Sequence, residues 1–302
     1  MSKIQKSAEM VLGTAQLGRP DGASAAAARM IVQAATRAGI RWIETASEYG
    51  ASEQRIGQAL QASAGTRIVT KLPPIATGTP SSAIRGLISD SVHNSCSRLN
   101  TNRLDVALVH HVNQLKCYNG LVWRTLRELR DEGIVFDLGV SVASPQDALL
   151  ALANADVRYI QLQFNALEWR WQQSGVIDAL ATRSNITLHA HSALMHGLLA
   201  ATPGARWPSA SSIDPDQMRA QLWTLARDLD RDCPADLCIA YVRAQPWIDG
   251  VIAGAKSTSQ FALNLARFQR PALTAAEVAH VNAVLPRVTN ELLDPAHWTR
   301  AA

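Results

Sequence analysis

Short apolar runs alternate with helix-length stretches along almost the whole chain, and most runs end in a polar residue or a turn. The runs lie at Ile40–Ile43, Arg67–Lys71, Leu104–His110, Val135–Ser141, Val157–Gln163, Ile186–Ala190 and Gly250–Ala253. They are nearly continuous in apolar residues, the pattern of strands covered on both faces. Helical spacing marks Ser24–Arg37, Glu53–Ala62, Ser81–Leu99, Gly120–Glu132, Pro145–Ala153, Gln172–Thr182, parts of Pro215–Ala244, and Thr258–Arg267. Such alternation requires a parallel sheet with crossover helices. An open doubly wound sheet would have fewer strands and an early glycine-rich turn, and no GxGxxG follows the first strand. The expectation is an α/β protein with a single (β/α)8 TIM barrel over residues 1–302. Met10–Thr14 is read as a lead-in at the barrel bottom, which leaves seven clear strands and a weak eighth.

Composition narrows the functional class. The chain has 302 residues, somewhat above the about 250 of a single barrel of this kind, and 47% hydrophobic residues can fill one large core. The formal charge is +4, with Lys and Arg scattered, which argues against a polybasic nucleic-acid surface. Cys96, Cys117, Cys233 and Cys238 show no CxxC spacing and are read as reduced thiols. Met1–Met10 is polar and does not read as a signal peptide. No apolar run approaches the roughly 20 residues of a membrane span, so the cytoplasm is the expected compartment. Residues 201–212, rich in Pro and Ser, and the tail 289–302 are read as a substrate-side loop and tail.

The C-terminal strand ends of a parallel barrel share one rim, where active sites are built. Glu44, Tyr49, Lys71 and His110 are expected at or just past such ends. A phenol, an ammonium, an imidazole and a carboxylate together suit proton transfer to or from a carbonyl oxygen. The lysine can lower the phenol pKa from its ordinary value near ~10. His111 competes with His110, but the pleat sends neighbours to opposite faces, so one of the two reaches the pocket. His189 and His191 share a face and invite a metal reading, but the first strand offers no further ligands, so no metal is expected. Trp42 and Trp298 are candidate pocket walls, with core packing the competing role for Trp42.

Several segments, in this order, resemble the aldo-keto reductases. Gly39–Glu53 resembles the family's first signature, with Tyr49 at the catalytic tyrosine and Glu44 at the aspartate position. Val69–Lys71 resembles the lysine strand and Leu104–His110 the histidine strand. Glu132–Ser141, Ile160–Asn165 and Ala190–Gly197 resemble the segments that hold the nicotinamide, and Gly250–Gln260, continuing to Asn264, resembles the adenosine-phosphate segment. The resemblance implies cofactor contacts from Ser141, Gln161 or Gln163, Asn165, His191, Ser192, Leu194, Gly254, Lys256, Ser257, Gln260 and Asn264. It implies NADPH as cofactor, with NADH less favoured, and a small carbonyl compound as substrate. Lys256, just before a helix start, suits the 2′-phosphate of NADP. His196 is expected to be loop structure.

Three positions depart from the family pattern: Glu44 replaces Asp, Val142 stands where Asn is usual, and His191 stands where an aromatic ring stacks on the nicotinamide. The expected activity is NADPH-dependent reduction of an aldehyde or ketone with Tyr49 as proton donor. An NAD(P)-dependent sugar dehydrogenase working oxidatively is the alternative, and a low-turnover NADP-binding subunit is a third reading.

Overall fold

The computed structural model describes residues 7–60, 65–205, 207–208 and 213–298. Eight parallel strands close into a barrel in sequence order: β1 (Glu9–Gly13), β2 (Trp42–Ala46), β3 (Arg67–Lys71), β4 (Leu104–Val109), β5 (Val135–Val142), β6 (Val157–Gln163), β7 (Thr187–His191) and β8 (Gly250–Gly254). The run read as a lead-in is therefore the first barrel strand. Leu12 lies opposite both Ile43 of β2 and Ala253 of β8, so β1 closes the ring. Five residues carry too little periodicity to show this; only the two flanking strands define it.

Local chemistry sets the boundaries. In the helix Ala25–Arg37, Ser24 Oγ accepts from the Ala27 N–H at 3.2 Å. Its buried Ala28, Ile31, Val32 and Ala35 form one helical stripe. The helix ends with Gly39 at φ 76°, while the Ile40 N–H donates to Ala35 O at 3.0 Å. That termination uses Ile40, so β2 starts at Trp42 and Glu44 lies inside the strand rather than past its end. The stretch read as one helix over Gln172–Thr182 is two short ones, Arg170–Gln173 and Val176–Ala181, parted by Gly175 at φ 76°. Residues 61–62, 206, 209–212 and 299–302 of the expected helix, loop and tail lie outside the described residues. No helix among the described residues is long and apolar enough to cross a membrane.

The barrel interior is plugged by Val11, Trp42, Val69, Val106, Leu108 and Tyr159, all buried, with Ile252 against them. Alternate strand residues share a face. Trp42 and Glu44 therefore point inward together, as do Val69 and Lys71, Leu108 and His110, and Tyr159 and Gln161. A polar layer sits directly above an apolar floor. Trp42 belongs to that floor, edge-on to His189 at 5.0 Å between ring centroids.

Candidate active site

The polar layer is one hydrogen-bonded cluster. Glu44 and Lys71 form a buried ion pair in which Lys71 Nζ donates to Glu44 Oε1. Gln161 Nε2 donates to the same oxygen at 3.1 Å, and Lys71 Nζ also donates to Gln161 Oε1 at 3.1 Å. The Tyr49 hydroxyl donates to Glu44 Oε1 at a long 3.5 Å, and Lys71 Nζ lies 5.0 Å from the Tyr49 ring centre. Tyr49 stands in the turn after β2, where the backbone packs against the first loop. A Cβ at Gly18 would come within 1.6 Å of Tyr49 O, so only glycine admits this approach.

Burial first, then the Glu44 carboxylate, raises the Tyr49 pKa, while Lys71 lowers it. The net direction is upward: Lys71 lowers the phenol pKa as expected, but burial and Glu44 outweigh it. For Lys71, burial lowers the pKa, but Glu44 and Tyr49 raise it by more, and the ammonium is kept.

His110 follows β4 and is half-buried. Its Nδ1 lies 3.9 Å from Glu48 Oε2 and has no hydrogen-bond partner among the described residues. Burial and the neighbouring His111 lower its pKa, favouring the neutral ring. His191, at the end of β7, meets Ser192 Oγ through Nδ1 at 2.9 Å, and burial pushes its pKa down to about 3. His189, two residues earlier, faces the barrel floor, where its Nδ1 meets the Tyr159 hydroxyl at 2.5 Å. Among the described residues, no group of three or more His, Cys, Asp or Glu is placed to hold a metal ion.

A cavity of about 940 Å³ opens over this layer. It brings together Glu44, Tyr49, Lys71, His110, Ser141, Gln161, His191, Ser192, Leu194, Gly254, Gln260 and Asn264. His196 also lines it, in a loop where Ser192, Met195 and His196 all have positive φ. Three expected cofactor residues do not line it. Asn165 is fully buried, with Oδ1 accepting from the Leu167 N–H at 3.0 Å and Nδ2 unpartnered among the described residues. Ser257 caps the helix Thr258–Gln269, accepting from the Gln260 N–H at 3.1 Å. Lys256 is exposed, and its backbone N–H donates to Gln260 Oε1 at 2.8 Å. Gln163 lies in a neighbouring cavity, its Nε2 bound to Leu293 O at 2.8 Å. Trp298 meets His196 at 5.3 Å between ring centres.

The sequence reading missed Arg19, Arg267 and Trp223, which also line the large cavity. Arg267 donates to Asn264 Oδ1 at 3.3 Å and to Cys233 Sγ at 3.5 Å, and no carboxylate pairs with it among the described residues. Its spacing of three from Asn264 on one helix was the available signal.

The solved structures that resemble this chain share the barrel. An aldo-keto reductase from Bacillus halodurans, in its holo form, is 22% identical with a TM-score of 0.77, covering 93% of each chain. A glycerol dehydrogenase from Gluconobacter oxydans is 23% identical with a TM-score of 0.71, covering 91% of this chain and 90% of that one. No curated protein matches the chain. The Aldo/keto reductase family model matches residues 9–286, from the first barrel strand to beyond the last barrel helix, and the chain is an oxidoreductase that belongs to this family.

Proposed function

We propose that this chain is a cytoplasmic carbonyl reductase using NADPH, with Tyr49 as the proton donor. The observation that carries this reading is the cluster beneath the large cavity, in which Tyr49, Lys71 and Gln161 all bond to Glu44 Oε1 and His110 lines the same space. A buried phenol there can act as a general acid.

The large cavity fits a phosphorylated dinucleotide. Arg19 and Lys71 line it, and so does Arg267, whose guanidinium has no carboxylate partner among the described residues. The helix Thr258–Gln269 begins at this end and presents Gln260 and Asn264 to the cavity. Ser141 and the neutral His191 ring would hold the nicotinamide end; Arg267, Gln260 and Asn264 would hold the adenosine phosphate end. When bound, NADPH supplies the hydride.

The chain's own groups supply the rest. His110, neutral and lining the cavity, can donate a ring N–H to the carbonyl oxygen. Tyr49 gives its proton to the oxygen as negative charge develops there. Lys71 stays an ammonium beside the phenol and stabilises the tyrosinate left behind. Glu44 and Gln161 fix Lys71 in place. Following NADPH absorbance with a panel of aldehydes and ketones tests the reading. Tyr49→Phe is expected to keep NADPH binding and lose about a hundredfold or more in kcat. Near-normal turnover in that variant would refute the assignment.

A further inference from the structure

Two large apolar side chains on the wall of the large cavity stand in water. Trp223, on the helix Pro215–Asp228, is 47% exposed, and Leu263, on the helix Thr258–Gln269, is 52% exposed. We infer that they form a clamp for the adenine ring of the cofactor, with the Trp223 indole as its stacking face and Leu263 as an apolar wall. This rests on the NADPH reading above.

Core packing explains neither position. The helix Pro215–Asp228 buries Met218, Leu222, Leu225 and Ala226, one stripe at helical spacing. Trp223 follows Leu222 and so lies about 100° round the helix from it. Of the eight tryptophans, only Trp223 is exposed among the described residues, and no ring, cation or hydrogen-bond partner meets its indole there. Leu263 stands beside the buried set Phe261, Asn264 and Phe268 rather than within it. Single exposed apolar residues are ordinary, whereas two from separate helices that line one cavity mark a ligand groove.

The surroundings select a purine base as the occupant. The helix Pro234–Arg243 packs against both of the other helices and brings its N-cap Cys233, with Ala235 and Ile239, to the cavity. Arg267 donates to Cys233 Sγ at 3.5 Å, so the cation proposed for the 2′-phosphate lies in this part of the cavity. The ribose that carries this phosphate also carries adenine, which puts the base within one sugar's length of Arg267. Gln260 Oε1 accepts from the Lys256 N–H, which leaves Nε2 to donate to a ring nitrogen. Tyr49 and Trp223 supply the phenol and indole rings that line the cavity, and Tyr49 belongs to the proton cluster. The indole is therefore the ring left to stack on the base, and stacking needs no reading of the base's edges.

The test uses adenosine 2′,5′-bisphosphate, which carries the base and the 2′-phosphate but no nicotinamide. Calorimetry is expected to show it binding the wild type and binding Trp223→Ala about tenfold or more weakly, the size of a lost base–aromatic stack. Trp223→Phe keeps a stacking face and should lose less, and Leu263→Ala should also weaken binding. The bisphosphate should quench indole emission in the wild type, and that quenching should shrink in Trp223→Phe. Equal affinity for the bisphosphate in Trp223→Ala and the wild type would overturn the clamp and leave the reductase reading standing. A change of oligomeric state in Trp223→Ala with nucleotide affinity intact would also overturn it, assigning the indole to a contact between copies. If the bisphosphate binds in a Trp223-dependent way yet no carbonyl compound is reduced, the clamp stands and the reductase reading fails. Binding of neither the bisphosphate nor NADPH to the wild type would overturn both.

Discussion

Lys71 on β3 donates to the side-chain oxygen of Gln161 on β6 at 3.1 Å, although the two strands are not neighbours in the sheet. The bond crosses the barrel interior just above its apolar floor. With Gln161 Nε2 also bound to Glu44, the amide closes a ring with the ion pair. Gln161→Leu is expected to remove both bonds and lower kcat by about tenfold, while leaving NADPH affinity near that of the wild type. Fluorescence titration of NADPH decides the point. A large loss of affinity would mean that Gln161 acts on the cofactor rather than on the lysine.

Glu44 holds Lys71 and Gln161 on a single oxygen, Oε1. Glu44→Asp withdraws that oxygen by one methylene and is expected to lower kcat and shift the pH–rate profile. Glu44→Ala leaves a buried ammonium unpaired, which should cost about 3–5 kcal/mol of stability. Denaturant unfolding measures that loss. Unchanged kcat and pH profile in both variants would remove the carboxylate from the chemistry.

Under the proposed NADPH reading, two cations are candidates to hold the 2′-phosphate. Arg267 lines the large cavity, whereas Lys256 is exposed and does not. Arg267→Ala is expected to weaken NADPH by roughly ten- to a hundredfold, the size of a charge-assisted contact, with a smaller effect on NADH. Lys256→Ala should change NADPH binding less. The reverse ranking would return the role to Lys256.

Burial holds His189 at about 3, against an unfolded value near 6.5. A depressed imidazole contributes stability that is present above 6.5 and lost as pH falls towards 3, because the unfolded chain takes up the proton first. The loss is about 1.4 kcal/mol per pH unit in that window. His189→Gln, which can still accept from Tyr159, should show a shallower dependence between pH 7 and 4. Parallel curves for the two proteins, from denaturant unfolding across that range, would contradict this.

The barrel and the gathering of Glu44, Tyr49, Lys71 and His110 at one cavity were legible because both are local signals. Apolar runs set the strands, and Glu44, Lys71 and His110 are written into or directly after them. Strand parity then puts them on one face. What escaped notice depends on closure. Gln161 reaches Lys71 only because the sheet curls into a ring. β1 is recognisable by its two partners rather than by its five residues. Arg267 looked like any charge on a helix surface until the helix was set beside β8. The direction of the Tyr49 shift needed the burial of the whole cluster, which no motif carries.

Residues 288–293 are fastened to the barrel by two bonds, from Gln163 to Leu293 O at 2.8 Å and from Trp169 Nε1 to Val288 O at 3.0 Å. Both acceptors are main-chain carbonyls, so the two bonds themselves do not depend on side-chain identity, while Val288, Leu292 and Leu293 add buried apolar contacts that do. Glu44 and Lys71 stand on barrel strands, whereas Leu293, Asp294 and Pro295 line the neighbouring cavity from a segment outside the barrel. A change at an edge such as Pro295 can therefore reshape that wall without cutting a barrel strand.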